Sequence, residues 1–97
     1  MPTQIQQIAD SESNKIVLRV KGEMLVEDVR LVSRIAADLI SNGTDSVEID
    51  LSDLNFLDSD SATMLRNLDA DENIAITGIH YFLQKLVEEN ERRENNS

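Results

Sequence analysis

Two hydrophobic periods alternate along this chain, and that alternation limits the folds open to it more than any other feature. From Ser46 to Leu51 the apolar residues Val47, Ile49 and Leu51 alternate with Glu48 and Asp50. A period of two puts successive side chains on opposite faces of a strand, here one apolar and one carboxylate-bearing. Just upstream, Val29, Val32, Ile35, Ala36, Leu39 and Ile40 recur at the spacing of one helix face. Glu27 and Asp28 open that helix with charges suited to its dipole, and Asn42-Gly43 supplies the stop.

The same reading extends to both ends. Thr3 to Ala9, with Ile5 and Ile8 among polar residues, reads as a weak strand. Asp10 to Asn14 is a polar turn, and the branched run Lys15–Lys21 is a second strand, ended by Gly22. A short turn between two strands predicts an antiparallel hairpin. Ser52 to Leu57 leads into Asp58-Ser59-Asp60-Ser61, a cluster of residues that cap helices. Ala62, Met64, Leu65 and Leu68 then make a short helix. Asp69 to Asn73 is an acidic loop, and Ile74 to Thr77 a strand closed by Gly78. His80 to Arg92 is a last helix, followed by a frayed tail over about residues 93–97.

The order strand, strand, helix, strand, helix, strand, helix predicts an α/β fold. It is a four-stranded mixed sheet with helices packed on one face, parallel pairs joined by right-handed crossovers, and no extra C-terminal strand. The 97 residues suit one domain over 1–97.

Composition removes several classes of function. Only Phe56, Tyr81 and Phe82 are aromatic, so the core must be aliphatic. Cysteine is absent, and with it disulfides, thiolate metal sites and cysteine nucleophiles. Nineteen acidic against nine basic residues give a net charge of −10. That surface repels phosphate backbones and anionic membranes and suits a partner with a basic or mixed face. The first residues lack a basic, apolar signal pattern, and no run approaches a membrane span, which makes the cytoplasm the expected location.

The remaining chemistry gathers before the short helix. Asp58 or Ser59 there is a natural cap. Asp50, Asp53, Asp58 and Asp60 read as solvated carboxylates at strand ends and caps rather than as a magnesium site. His80 is the sole histidine, so Ser59 has no evident base and hydrolase chemistry is not expected. Gly22, Gly43 and Gly78 are far apart, so no phosphate-cradling loop is formed. Glu88 to Glu94 is a solvated helix end. No catalytic residue, cofactor or metal ligand emerges.

Three separated motifs resemble the STAS domain family of the anti-anti-sigma factors. Val47-Glu48-Ile49-Asp50-Leu51-Ser52-Asp53-Leu54-Asn55-Phe56-Leu57-Asp58-Ser59 is similar to its strand, hydrophobic pair and Asp-Ser signature. Val20-Lys21-Gly22-Glu23-Met24 resembles its strand ending in Gly-Glu, and Ile74-Ala75-Ile76-Thr77-Gly78-Ile79 its next strand and loop. The resemblance spans roughly residues 15 to 88. It implies a non-enzymatic anti-sigma factor antagonist in a partner-switching pathway. Such a protein binds a serine kinase, the anti-sigma factor, and is switched by phosphorylation, with a PP2C-type phosphatase as a further partner. Carried across, the resemblance makes Ser59 the phosphosite and Asp58, Ser59, Asp60, Ser61, Ala62, Thr63 and Met64 the partner-binding surface. The family alternative is an unphosphorylated STAS subunit in a larger assembly, such as a lipid-transport ABC complex. The chain departs from the pattern Asp-Ser-Ser-Gly or Asp-Ser-Thr-Gly: Asp60 replaces the second hydroxyl residue and Ser61 the glycine. Its second helix is also shorter than the family's.

Overall fold

The structure, a computed structural model, describes residues 3–78. Seven elements follow in order: β1 (Gln4–Asp10), β2 (Lys15–Met24), α1 (Val26–Ser41), β3 (Ser46–Asp50), β4 (Leu54–Leu57), α2 (Ser59–Leu68) and β5 (Ile74–Thr77). The expected last helix and the tail lie outside the described residues.

The fold is the expected α/β class, an open mixed sheet carrying two helices. Its continuous path runs β1-β2-β3-β5, and β4 pairs with β2 off that path. β1 and β2 are antiparallel, with Ile5 opposite Val20 and Ile8 opposite Val17. Their turn is set by its own polar side chains. The Asp10 carboxylate accepts from the Glu12 backbone N–H at 3.1 Å and the Ser13 hydroxyl at 2.9 Å, and Asn14 takes a positive φ of 49°. Asparagine tolerates this left-handed conformation better than most residues. β3 runs parallel to both β2 and β5, as the strand–helix–strand order requires.

The period-two face of β3 points inward as expected. Val47, Ile49 and Leu51 are buried with Leu18, Val20 and Met24 of β2, Leu54 of β4 and Ile74 of β5. Val29, Val32 and Ala36 of α1 close over them, at the helical spacing read from sequence, with Leu65 of α2. Burying each larger aliphatic side chain stabilises by about 1.5–3 kcal/mol, which makes this aliphatic layer the main support of the fold. α1 begins where Asp28 reaches back to accept the Leu25 N–H at 2.9 Å. It ends where the Gly43 and Thr44 N–H groups donate to Ile40 and Leu39, with Gly43 at φ 108°. That is a glycine-terminated helix end with its last carbonyls satisfied.

The opposite face of the sheet is polar. Lys15 pairs with Glu48 at 2.7 Å and Arg19 with Asp50 at 3.3 Å, while the Thr77 hydroxyl donates to Glu48 at 3.1 Å. The alternate residues of β3 therefore fasten it laterally to both neighbours.

Two boundaries differ from the sequence reading. β2 does not stop at Gly22 but continues to Met24, and the connector after Leu51 contains a fifth strand, β4. The two differences have one cause. Gly22 pairs with Leu54, but the next pair is Glu23 with Phe56, so Asn55 has no partner and the ladder bulges. Gly22 has a φ of 88° there. Glycine adopts that conformation freely, which lets the strand continue through the irregularity instead of ending.

Candidate functional site

β2, β3, β4 and β5 run parallel to one another, so their carboxyl ends lie at one end of the sheet, where α1 and α2 begin. The cap-rich cluster stands at this end, directly after β4. Asp58 is the N-cap of α2, in extended conformation with φ −82° and ψ 168°, and its Oδ1 accepts from the Ser61 backbone N–H at 2.8 Å. Ser61 holds the Asp58 carboxyl below the usual carboxylate range, and the backbone N–H bond is the contact that does so, because the Ser61 hydroxyl makes no hydrogen bond. The cap is Asp58 and not Ser59, which leaves Ser59 as the first helical residue.

The side chains expected on one surface divide between outside and inside. Ser59, Asp60 and Thr63 are exposed, and Asp58, Ala62 and Met64 are half-buried. Ser61 is fully buried, and its hydroxyl has no hydrogen-bond partner. Ser61 therefore cannot present its side chain to a partner as the motif suggested. The reason is helical geometry: two residues on a helix differ by about 200°, so an exposed Ser59 turns Ser61 toward the core. Thr63, one turn after Ser59, donates its hydroxyl to the Ser59 carbonyl at 3.1 Å.

Two apolar residues that the sequence reading did not assign to the site flank this cluster. Phe56 is 47% exposed on β4, beside Glu23 of β2. Leu25 is 43% exposed and lies two residues beyond Glu23, so strand alternation places it on the side away from buried Met24. Exposed single apolar residues are ordinary. These two matter because pairing brings β4 and the end of β2 together beside the start of α2. The signal available in sequence was Phe56 itself, one of three aromatics in the chain, next to the Asp-Ser pair.

The other expected carboxylates do not converge. Asp50 receives the Ser52 N–H at 3.0 Å and Arg19 at 3.3 Å. Burial pushes its pKa up, but the Ser52 bonds and Arg19 outweigh that and hold it below the ordinary value. Among the described residues no group of three or more His, Asp or Glu side chains could hold a metal ion. No described helix is long and apolar enough to cross a membrane.

The arrangement is thus a low, open surface with an accessible hydroxyl, two carboxylates and two apolar contacts at a helix N-terminus. It stands on an open mixed sheet of the STAS fold. The family model described as the Mlab STAS domain matches residues 9–90, and the chain belongs to the STAS domain family. Solved structures agree in fold. An antisigma-factor antagonist STAS domain from Rhodobacter sphaeroides is 18% identical, with 81% of this chain and 89% of that one covered and a TM-score of 0.59. An anti-sigma factor antagonist from Mycobacterium paratuberculosis is 17% identical over 88% of this chain and 81% of that one, at 0.52. The antagonist SpoIIAA in its unphosphorylated form is 17% identical over 67% of this chain and 59% of that one, also at 0.52. No curated protein sequence matches the chain.

Proposed function

We propose that this chain is an anti-sigma factor antagonist-like regulatory protein without catalytic activity of its own. It binds a serine-kinase anti-sigma partner through the surface at the start of α2 and is switched by phosphorylation of Ser59, with a PP2C-type phosphatase reversing the switch. The observation that carries this reading is the exposure of Ser59 as the first residue of α2, between Asp58 and Asp60. A kinase can reach the hydroxyl there without unfolding the helix. Phosphate adds nearly two negative charges to a spot that already holds two carboxylates. A partner matched to the unmodified surface then meets close to four charges, and Phe56 and Leu25 supply the apolar contact that such repulsion would separate. The cap is made by Asp58, so modification of Ser59 leaves the fold in place.

The test is binding of the purified protein to the anti-sigma kinase encoded nearest to it. Ser59→Glu should weaken binding by about tenfold or more, equivalent to about 1.4 kcal/mol, with thermal stability unchanged. Ser59→Ala should bind normally and take no phosphate. Phosphate found only on Thr63, or normal binding by Ser59→Glu, would remove the switch.

A second reading is favoured by Asp60 and buried Ser61, which replace the second hydroxyl and the glycine of the antagonist pattern. The same surface then serves as a fixed dock, and the chain is an unphosphorylated STAS subunit of a larger complex such as a lipid-transport ABC system. Normal binding by Ser59→Glu together with co-purification of transporter subunits is its signature.

A further inference from the structure

α1 and α2 pack side by side, and a groove runs between them. Val29, Arg30 and Arg34 line it from α1, and Met64, Asn67 and Leu68 from α2. Ser33 and Ala37 complete the α1 wall. The groove's accessible apolar residues are Met64 and Leu68, both half-buried, and one edge is basic. Arg30 and Arg34 are four residues apart, one helical turn, so their Cα atoms are about 6 Å apart along the axis. Both are exposed.

Their placement without an ion-pair partner among the described residues is the informative feature. The chain has nineteen acidic side chains, and Glu27 and Asp38 stand on the same helix three residues before Arg30 and four after Arg34. Pairs at those spacings are within reach on a helix surface. Yet the described ion pairs of basic residues are Lys15–Glu48 and Arg19–Asp50, both on the sheet, and neither Arg30 nor Arg34 forms one. Two exposed cations one turn apart on the edge of this groove are positive groups that a chain of net charge −10 offers to a partner.

We infer that the groove between α1 and α2 binds an acidic amphipathic helix of a partner protein. Carboxylates one turn apart on that helix meet Arg30 and Arg34, and its apolar stripe lies on Met64 and Leu68. Arginine suits this task because its planar guanidinium takes a carboxylate in a two-bond fork. Helix-in-groove recognition is read by apolar anchors at turn spacing, which the groove's apolar residues match. The inference rests on the docking reading above, since Met64 joins the groove to the Ser59 surface. It extends that reading by fixing the partner's charge order: a basic or mixed face over Asp58 and Asp60, then acidic residues over the arginines.

The test uses the whole protein and a synthetic helical peptide with leucines along one stripe and glutamates one turn apart beside it. In isotope-labelled protein, the peptide should shift the amide signals of Ser33, Ala37, Asn67 and Leu68, and binding should weaken as salt rises. Arg30→Glu with Arg34→Glu should weaken binding about tenfold or more, and a lysine-for-glutamate peptide should not bind. Ala37→Trp should block the peptide while leaving both arginines in place. Both changes lie on exposed positions, and circular dichroism checks that the fold is retained. Shifts confined to other surfaces, equal binding of the lysine peptide, or full binding by the charge-reversed variant would overturn the inference. So would concentration-dependent dimerisation abolished by the same variant, because a second copy would then own the groove. None of these readouts involves modification at Ser59. Failure of the Ser59 switch with normal peptide binding therefore indicts the switch alone, and the reverse pattern indicts the groove alone.

Discussion

Ser59 and Ser61 stand two residues apart in the first turn of α2, and their side chains face opposite ways: Ser59 outward to solvent, Ser61 fully into the interior with its hydroxyl unpartnered. One Asp-Ser-Asp-Ser segment therefore offers two hydroxyls with opposite properties. The first is chemically accessible and structurally dispensable. The second is inaccessible and set in the core.

Substitutions at these two serines should separate cleanly. Ser61→Ala removes a buried hydroxyl that makes no hydrogen bond, so stability measured by urea denaturation should be unchanged or raised by up to about 1 kcal/mol. Ser61→Glu buries a carboxylate without a partner and should cost about 3 kcal/mol or more. Ser59→Glu should leave the unfolding midpoint where it is. A stable Ser61→Glu protein would show that the orientation of α2 is wrong.

Gly78 should resist any side chain. Its φ is 77°, and an added Cβ would stand 2.5 Å from the Ser52 nitrogen and 2.9 Å from Asp50 Oδ1. The backbone of Ser52 cannot yield without breaking its bond to Asp50. Gly78→Ala should therefore lower stability by about 2 kcal/mol or more, with strain and clash adding. Gly43→Ala provides the control. It shares the positive φ but has open space around it, and it should cost less.

Acid should destabilise the protein by a defined route. Asp10, Asp50 and Asp58 all have lowered pKa values in the folded chain: Asp10 through Ser13 and Glu12, Asp50 through Ser52 and Arg19 against the opposing push of burial, Asp58 through Ser61. The unfolded chain, with carboxyls near an ordinary value of about 3.9, takes up protons first as pH falls. Their stabilisation is thus complete above about pH 5 and is lost as pH drops through and below about 4. Denaturation midpoints should be flat from neutral to mildly acid pH and fall beyond that. Asp58→Asn should shrink the acid-dependent part while keeping a side chain able to cap α2. A midpoint that rises on acidification would contradict the hydrogen bonds assigned to these carboxylates.

Every described element except β4 was legible in the sequence, and so were the inward faces of β3 and α1. Val47, Ile49 and Leu51 alternate with charge, and Val29, Val32 and Ala36 fall on one helical stripe. Those patterns are local, because backbone geometry alone fixes which side chains share a face. The capping of α2 by Asp58 was legible for the same reason, as one of two candidates within one turn. Tertiary structure alone decided the rest. β4 is only four residues long, and becomes a strand because the end of β2 lies alongside it. Gly22 reads as a stop in sequence, yet pairing with Leu54 carries the strand through it as a bulge. Leu25 and Phe56 are exposed, and Leu54, just as apolar, is buried, according to which neighbours the sheet places over them. Arg30 and Arg34 become two cations on one groove only when α2 packs against α1. Each of these outcomes depends on contacts between residues far apart in the chain, and periodicity within a segment carries no record of what will be packed against it.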